Sequence, residues 1–129
     1  MNLGNLRLIL IPLFFYTPFI LNAEPIKGSF VEIQVLDKIT AKVRTFETRI
    51  GQTIEFESLK IEIFTCFKNP PEEIPEDFVL LKIYDLISNQ FKEIIYQGWM
   101  ISSSPNITPL EHPIYDLWLK DCKVDNDSS

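Results

Sequence analysis

The stretch that decides the fold is residues 59–67, which read LKIEIFTCF. Three aliphatic residues fall on one face of this stretch, and charged residues alternate with them over its first half. An alternation with a period of two predicts a β-strand that buries one face. The second face begins polar and becomes apolar at Phe64 and Cys66. This strand is therefore expected to be solvated on that face at its start and covered at its end.

Segments of similar character lie on both sides of this strand, and turn signals such as Gly51 separate them. Residues 88–90 (SNQ) are predicted to form a hairpin turn, and Gly98, inside an apolar run, predicts a bulge or a close backbone approach. We expect an all-β domain, either a sandwich or a small barrel of about six to eight antiparallel strands with one disulfide. The further strands are predicted at residues 30–36, 41–50, 53–56, 78–87, 91–101 and 113–122.

Length and charge limit the classes of function. A chain of 129 residues has room for one small domain. With 18 acidic residues, 12 basic residues and a net charge of −6, it lacks the positive excess of a general nucleic-acid binder. Two cysteines and one histidine are too few for a zinc site built from those residues alone. We therefore predict no nucleic-acid partner, no bound metal and no cofactor.

Residues 1–23 have the order of a secretory signal. Arg7 precedes an apolar run over residues 8–21, and Ala23 supplies a small residue at the expected cleavage point. Cleavage after Ala23 would place a single domain, residues 24–129, in the periplasm. A retained membrane anchor is the alternative, but the apolar run is shorter than the roughly 20 residues that a spanning helix needs.

Cys66 and Cys122 are the two cysteines of the chain. Export would place them in an oxidising compartment, where such a pair forms a disulfide. A redox role is the alternative, but redox pairs are usually close in sequence, as in Cys-x-x-Cys. In a regular strand Trp118 shares a face with Cys122, so we expect Trp118 to pack on the disulfide.

Residues 68–77, KNPPEEIPED, interrupt the strand pattern. Three prolines predict a stiff surface loop, which loses little conformational entropy on binding and so suits a protein partner. The four carboxylates of this loop could instead bind calcium or simply be solvated. The candidate interaction residues of this loop are Pro70, Pro71, Glu72, Glu73, Glu76 and Asp77.

A second group of candidates lies in the C-terminal half. Trp99 and Met100 point to opposite faces of their strand, so at most one is expected in the core if one side of the sheet is solvated. One alternative is a catalytic triad drawn from residues 102–104 with His112 and Asp116, although the chain has no Gly-x-Ser-x-Gly elbow. The simpler interpretation is that His112 caps a loop. The candidate interaction residues of this group are Trp99, Met100, Ser103, Pro105, Glu111, His112, Pro113 and Tyr115.

Three motifs in order are similar to those of the domain of unknown function 2155 family of alphaproteobacterial exported proteins. They are residues 66–77 (CFKNPPEEIPED), 98–105 (GWMISSSP) and 110–122 (LEHPIYDLWLKDC), and the resemblance spans about residues 31–122. The resemblance implies a periplasmic protein without an assigned enzymatic activity, and it supplies no catalytic residues. Asn69 departs from the pattern, since a basic residue is expected there.

The unusual motifs lie in predicted loops, which is where function tends to lie. The sequence therefore favours a non-enzymatic binding or accessory module that acts through a protein partner of the cell envelope. Contact with a membrane is expected only through the signal segment before its cleavage. Two alternatives remain open at this point: a small-ligand or ion carrier that uses a barrel interior, and a serine hydrolase that uses His112.

Overall fold

The computed structural model describes residues 15–20, 22–86, 93–106 and 109–125. These residues form eight β-strands, and none of them lies in an α-helix. In the same ranges, no helix is long and apolar enough to cross a membrane. The predicted turn at residues 88–90 and most of the predicted signal segment lie outside the described residues. The strands are β1 (Ile26–Lys27), β2 (Phe30–Asp37), β3 (Lys42–Arg49), β4 (Thr53–Phe56), β5 (Leu59–Lys68), β6 (Asp77–Asp85), β7 (Glu93–Ile101) and β8 (Tyr115–Lys123).

The strands form two antiparallel sheets, which confirms the all-β prediction. One sheet has three strands in the order β3-β2-β8. The other has the order β1-β5-β6-β7, and β4 pairs with the start of β5 on the edge where β1 pairs with its end. The inner faces of the two sheets share one buried apolar cluster, so the architecture is a sandwich. The two-residue strand β1 was not predicted, because two residues are too short to show an alternation.

The core follows the period-two pattern of the sequence. Alternate residues of β2, β5, β6 and β8 are buried, while their neighbours remain partly exposed. Each fully buried aliphatic side chain contributes about 1.5–3 kcal/mol relative to an exposed one. The central buried side chains are Val31, Ile33, Val35, Ile61, Ile63, Val79, Leu81, Ile83, Leu117 and Leu119.

Two bulges bring the cysteines into this core. The ladder between β5 and β6 shifts by one residue at Phe64, and the ladder between β2 and β8 shifts by one residue at Lys120. Each extra residue turns the next part of its strand over. Cys66 and Cys122 therefore join the buried faces of β5 and β8, and both are fully buried.

The bulge at Lys120 makes one prediction wrong. Trp118 does not share a face with Cys122, because the inserted residue lies between them. The indole nitrogen of Trp118 donates a 2.9 Å hydrogen bond to the side-chain oxygen of Gln34 instead. Both residues lie on the outer face of the three-stranded sheet.

The bulge predicted at Gly98 is also misplaced. The ladder between β6 and β7 shifts at Ile95, while Gly98 stays paired opposite Leu81. The backbone of Gly98 has a φ of +147°, a region that side-chain-bearing residues rarely adopt. The glycine thus marks an unusual backbone conformation rather than an insertion.

Candidate functional site

The candidate residues of the sequence fall at two ends of the sandwich, which β6 connects. Asp77 and Asp85 are the first and last of the nine residues of β6, so eight steps of about 3.3 Å place them roughly 26 Å apart. We call the end that holds Asp77, Ser102 and the two cysteines the cysteine end. We call the opposite end, which holds Asp85 and His112, the histidine end.

A disulfide joins the two sheets at the cysteine end, as the sequence predicted. Cys66 of β5 and Cys122 of β8 form the bond, with an S–S distance of 2.04 Å. The backbone passes directly beside the disulfide at Gly28, whose amide donates a hydrogen bond to the Cys66 carbonyl at 2.9 Å. A Cβ added to Gly28 would lie 2.2 Å and 2.6 Å from the two sulfur atoms, so no larger residue fits there without a shift.

A charged cluster lies beside the disulfide. The ammonium group of Lys68 lies 3.2 Å from the carboxylate of Asp77 and 2.9 Å from that of Asp121. The amide of Cys122 donates to the same Asp77 carboxylate at 2.9 Å. This cluster therefore connects the start of β6 to the end of β8 by polar contacts parallel to the disulfide.

The two carboxyls of this cluster titrate differently. Burial raises the pKa of Asp77 and the neighbouring carboxyl of Asp121 adds to the shift, while the Cys122 amide and Lys68 act against it. Burial also opposes ionisation of Asp121, but hydrogen bonds from Lys68 and Asp77 outweigh it and lower the pKa of Asp121.

Glu76 joins the two motifs that lie at this end. One oxygen of its carboxylate accepts hydrogen bonds from the Ser102 hydroxyl at 3.0 Å and from the Ser103 amide at 2.9 Å. The other oxygen accepts a bond from the Ser103 hydroxyl. Burial opposes ionisation of Glu76, but the bonds from Ser103 and Ser102 prevail and lower its pKa. The proline-rich loop and the serine segment are thus held together through one carboxylate.

The proline-rich loop, residues 69–76, closes on itself through Asn69. The Asn69 side chain donates to the Ile74 carbonyl and its amide donates to the Glu76 carbonyl, both at 2.9 Å. The position where the resemblance predicted a basic residue therefore has a structural role in this chain. Glu72 and Glu73 are exposed at the tip of the loop, and Ile74 is 84% exposed beside them.

Two cavities lie next to this loop. The larger is an open groove of about 480 Å³ on the outer face of the five-stranded sheet, where Trp99 remains 44% exposed. Its lining residues are Glu24, Pro25, Phe67, Phe78 and Trp99. The smaller has a volume of about 220 Å³ and is lined by Ile26, Lys68, Asn69, Pro70, Pro71, Glu73, Pro75 and Asp77.

His112 is buried at the histidine end, and both of its ring nitrogens are occupied. Nε2 lies 2.9 Å from a carboxylate oxygen of Asp85. Nδ1 accepts hydrogen bonds from the amides of Ile114 and Tyr115, each at 3.1 Å. Since Nδ1 acts as an acceptor, these contacts assign the ring proton to Nε2, which donates it to Asp85.

The residues of the candidate Ser-His-Asp triad do not come together in the fold. His112 bonds at one end of the sandwich, while the Ser102 and Ser103 hydroxyls bond to Glu76 at the other. Asp116 forms a 3.0 Å ion pair with Lys38. The simpler interpretation of His112, as a residue that caps a loop, matches the bonds that its ring accepts from the following turn.

The interaction residues predicted from the sequence divide into three groups. Glu76 is partly buried and internally bonded, as described above. Pro70, Asp77, Met100, His112 and Tyr115 are buried. Met100 is buried and Trp99 exposed, which confirms that they point to opposite faces. The exposed candidates are Pro71, Glu72, Glu73, Trp99, Ser103 and Pro105, with Glu111 and Pro113 beside His112.

The structure gives no support to two alternatives that the sequence left open, a calcium site in the proline-rich loop and a ligand carrier with a barrel interior. Two of the four loop carboxylates, Glu76 and Asp77, are committed to internal bonds, and the described residues contain no group of three or more His, Cys, Asp or Glu that could hold a metal ion. The inner faces of the sheets are filled by the apolar core, so the described strands do not form the barrel interior that a ligand carrier would use.

Phe67 and Phe78 were not predicted from the sequence as surface residues. Both lie on the outer face of the five-stranded sheet, where they are paired opposite each other. An unbroken alternation puts Phe67 on the same face as Ile61 and Ile63, and only the bulge at Phe64 moves it to the outer face, so the sequence pattern carried no signal for it. Lys68 and Asp121 left no signal either, because their pairing depends on two strands that are distant in sequence.

Taken together, these features define a disulfide-linked two-sheet β-sandwich that presents a stiffened loop at one end. Residues 31–122 match the family described as an uncharacterized protein conserved in bacteria (DUF2155), and the chain belongs to that family. The match confirms the resemblance seen in the three sequence motifs.

A relative is found in Rickettsia prowazekii (strain Madrid E), the uncharacterized protein RP359. It is 33% identical over 91 residues, which cover 70% of this chain and 59% of the relative. The chain thus matches somewhat less than two thirds of the length of that relative. No solved structure matches the chain.

Proposed function

We propose that the protein is an exported binding module of the cell envelope that holds a protein partner at the cysteine end of the sandwich. The observation that carries the proposal is the bond network of Glu76. It fixes two loops to each other while the side chains of Glu72, Glu73 and Ile74 remain exposed. The exposed loop tip is thus held by a rigid base.

The loop is organised before any partner arrives. Three prolines restrict its backbone, Asn69 closes it, and Glu76 ties it to the serine segment. A surface that is already ordered loses little conformational entropy on binding, so more of its contact energy appears as affinity. The exposed aliphatic side chain of Ile74 can serve as an anchor within such a surface.

Binding fits this end better than catalysis does. The reactive side chains of the site are engaged in internal bonds: Ser102 and Ser103 with Glu76, and Asp77 with Lys68. The exposed residues around them offer shape, apolar surface and negative charge rather than an activated nucleophile. A function in recognition uses these features directly.

Two features support export to the envelope. Residues 1–23 have the order of a secretory signal, and Glu24 would begin the mature chain. A buried disulfide that links the two sheets suits an oxidising compartment.

The test is an affinity capture from crosslinked cell envelope, read by mass spectrometry, with matched charge-reversal variants. The variant Glu72→Lys with Glu73→Lys alters the loop tip, and Glu111→Lys alters an exposed carboxylate at the histidine end. We expect an envelope protein that is captured by the wild type and by Glu111→Lys but lost with the double variant. Glu76 is left unchanged, because its carboxylate holds the loop together.

Capture of no protein above background would contradict the proposal. Equal capture by all three proteins would also contradict it, because the partner would then bind elsewhere on the sandwich.

A further inference from the structure

A short segment of backbone covers the disulfide at the cysteine end. Both cysteines are fully buried, although they lie within two residues of the ends of β5 and β8. Residues 24–28, EPIKG, run along the edge of β5 and then cross towards β2, and we call them the N-terminal strap. A Cβ added to Gly28 would lie 2.2 Å and 2.6 Å from the two sulfur atoms, so the backbone of the strap lies directly against the bond.

Few contacts hold the strap in place. Its paired part is β1, which has two residues, both of them exposed. The Gly28 amide donates to the Cys66 carbonyl at 2.9 Å, and the amide of the following residue, Ser29, donates to the Lys123 carbonyl at 2.8 Å. None of the five strap residues, all of which the structure describes, belongs to the buried apolar cluster. A segment with so few buried contacts opens at a lower free energy than the core does.

The rest of the cysteine end is held without the strap. Lys68 of β5 pairs with Asp77 of β6 and with Asp121 of β8. The Cys122 amide donates to Asp77 as well. These contacts connect three strands of the two sheets directly, so the strap can detach while the sheets remain packed.

We propose that the N-terminal strap is a gate between the buried disulfide and dithiols in the surrounding solution. With the strap in place, the two sulfur atoms are covered. When the strap detaches, the bond is open to attack while the core stays folded. The protein thus loses its covalent link through a local motion rather than through unfolding. The inference concerns the disulfide alone and does not depend on the proposed protein partner.

The reaction that the gate admits is a two-electron reduction by a dithiol. A thiolate of the dithiol attacks one cysteine sulfur, which breaks the disulfide and releases the other cysteine as a thiolate that takes up a proton. The second thiol of the dithiol loses its proton and displaces the first cysteine, whose thiolate is protonated in turn. The products are two protein thiols and one oxidised dithiol.

The test compares two matched pairs of glycine substitutions in the full chain with its disulfide formed. Ile26→Gly with Lys27→Gly weakens the pairing of β1, because glycine is unfavourable inside a strand, and should raise the population of the open strap about tenfold. Lys42→Gly with Val43→Gly makes nearly the same chemical change in β3, which is also an edge strand with both residues exposed. The β3 pair lowers overall stability without altering the strap.

Dithiothreitol under native conditions is the probe. The chain has two cysteines, so maleimide labelling read by mass spectrometry reports this bond alone. We expect the β1 variant to be reduced about tenfold faster than the wild type, and the β3 variant at the wild-type rate, because opening of the strap does not require unfolding of the core. Urea titration of the oxidised variants shows that each remains folded.

A second measurement uses the wild-type chain and so does not depend on any variant. Native-state hydrogen exchange should be faster at the Gly28 amide than at the amides of Ile33 and Leu81, which are fully buried residues of central strands.

Three results would overturn the inference. Equal acceleration in the β1 and β3 variants would show that reduction requires global unfolding. No acceleration in the β1 variant would show that the reagent reaches the sulfur atoms by another route. Exchange at Gly28 as slow as that at Leu81 would show that the strap does not open locally.

Discussion

The cysteine end and the histidine end hold their chain segments with similar chemistry but leave different surfaces exposed. Each end of β6 carries a carboxylate that binds a neighbouring segment: Asp77 accepts from the Cys122 amide, and Asp85 accepts from the His112 ring. At the histidine end these contacts occupy both ring nitrogens of His112. At the cysteine end a similar network supports a loop whose tip side chains, those of Glu72, Glu73 and Ile74, remain exposed. The difference suggests that one end closes the fold and the other presents a surface.

Removal of the disulfide should lower the stability of the fold more than any other change considered. It tests whether the two sheets need a covalent link at the cysteine end to stay together. The two cysteines are 56 residues apart in sequence, and a closed loop of this length contributes about 4 kcal/mol by the chain-entropy estimate. We expect Cys66→Ser with Cys122→Ser to lower the free energy of unfolding by about that amount. Urea titration measures it.

A loss below about 1 kcal/mol in that titration would contradict this account, because the polar cluster alone would then hold the two sheets together. Wild-type protein that has been unfolded, reduced and refolded under reducing conditions is the control. It should behave like the double variant.

Replacement of the histidine tests whether the histidine end is a structural closure. His112→Ala leaves the part-buried amide of Ile114 and the buried amide of Tyr115 without their acceptor, and a buried amide that loses its acceptor costs about 1–3 kcal/mol. We expect a loss of about 3 kcal/mol in urea unfolding. His112→Asn keeps a side-chain acceptor in the turn and should lose less. A stable His112→Ala protein with impaired partner capture would instead assign a binding role to this end.

A single added methyl group tests how tightly the chain crosses the disulfide. The Cβ of Gly28→Ala would lie within 3 Å of both sulfur atoms, and overpacking of this kind costs about 2 kcal/mol. In the Cys66→Ser/Cys122→Ser background, where the sulfur atoms are absent, the same substitution should cost clearly less. A double-mutant cycle measures the difference. Equal costs in the two backgrounds would show that Gly28 is needed for another reason.

Replacement of Glu76 should have the smallest effect on stability, and this effect should depend on pH. Glu76→Gln should lower stability at pH 7 by about 1 kcal/mol, since a charged acceptor of several hydrogen bonds becomes neutral. The pKa of Glu76 lies below its ordinary value of 4.5 in the folded protein. Its contribution is therefore complete above pH 4.5 and is lost as the pH falls through the lower folded pKa.

The matching measurement is a series of urea titrations from pH 7 to pH 3. The difference in stability between wild type and Glu76→Gln should shrink as the pH falls below 4.5. A difference that stays constant over this range would show that the ionised carboxylate does not hold the loop.

The sequence predicted those features that depend on neighbours along the chain. The alternation of residues 59–67 identified a central strand, and the opposite faces of Trp99 and Met100 followed from the same period. The pairing of the two cysteines followed from their number and the expected compartment.

The features that the sequence did not reveal depend on contacts between distant segments. The bulges at Phe64 and Lys120 exist only relative to the partner strand, so an unbroken alternation put Cys122 on the wrong face. The bonds between Glu76 and the serine segment join residues that lie more than twenty positions apart. Only the folded chain shows that these two motifs form a single surface.

The central claim is that a partner binds at the cysteine end and not at the histidine end. Ile74 and Ile39 offer a matched pair of exposed isoleucines, one at each end, with 84% and 75% of their surface exposed. A photocrosslinking amino acid placed at each position in the full chain, in intact cells, tests the claim directly. The account predicts a discrete crosslinked envelope protein from position 74 and none from position 39. A crosslink from position 39 alone would contradict it.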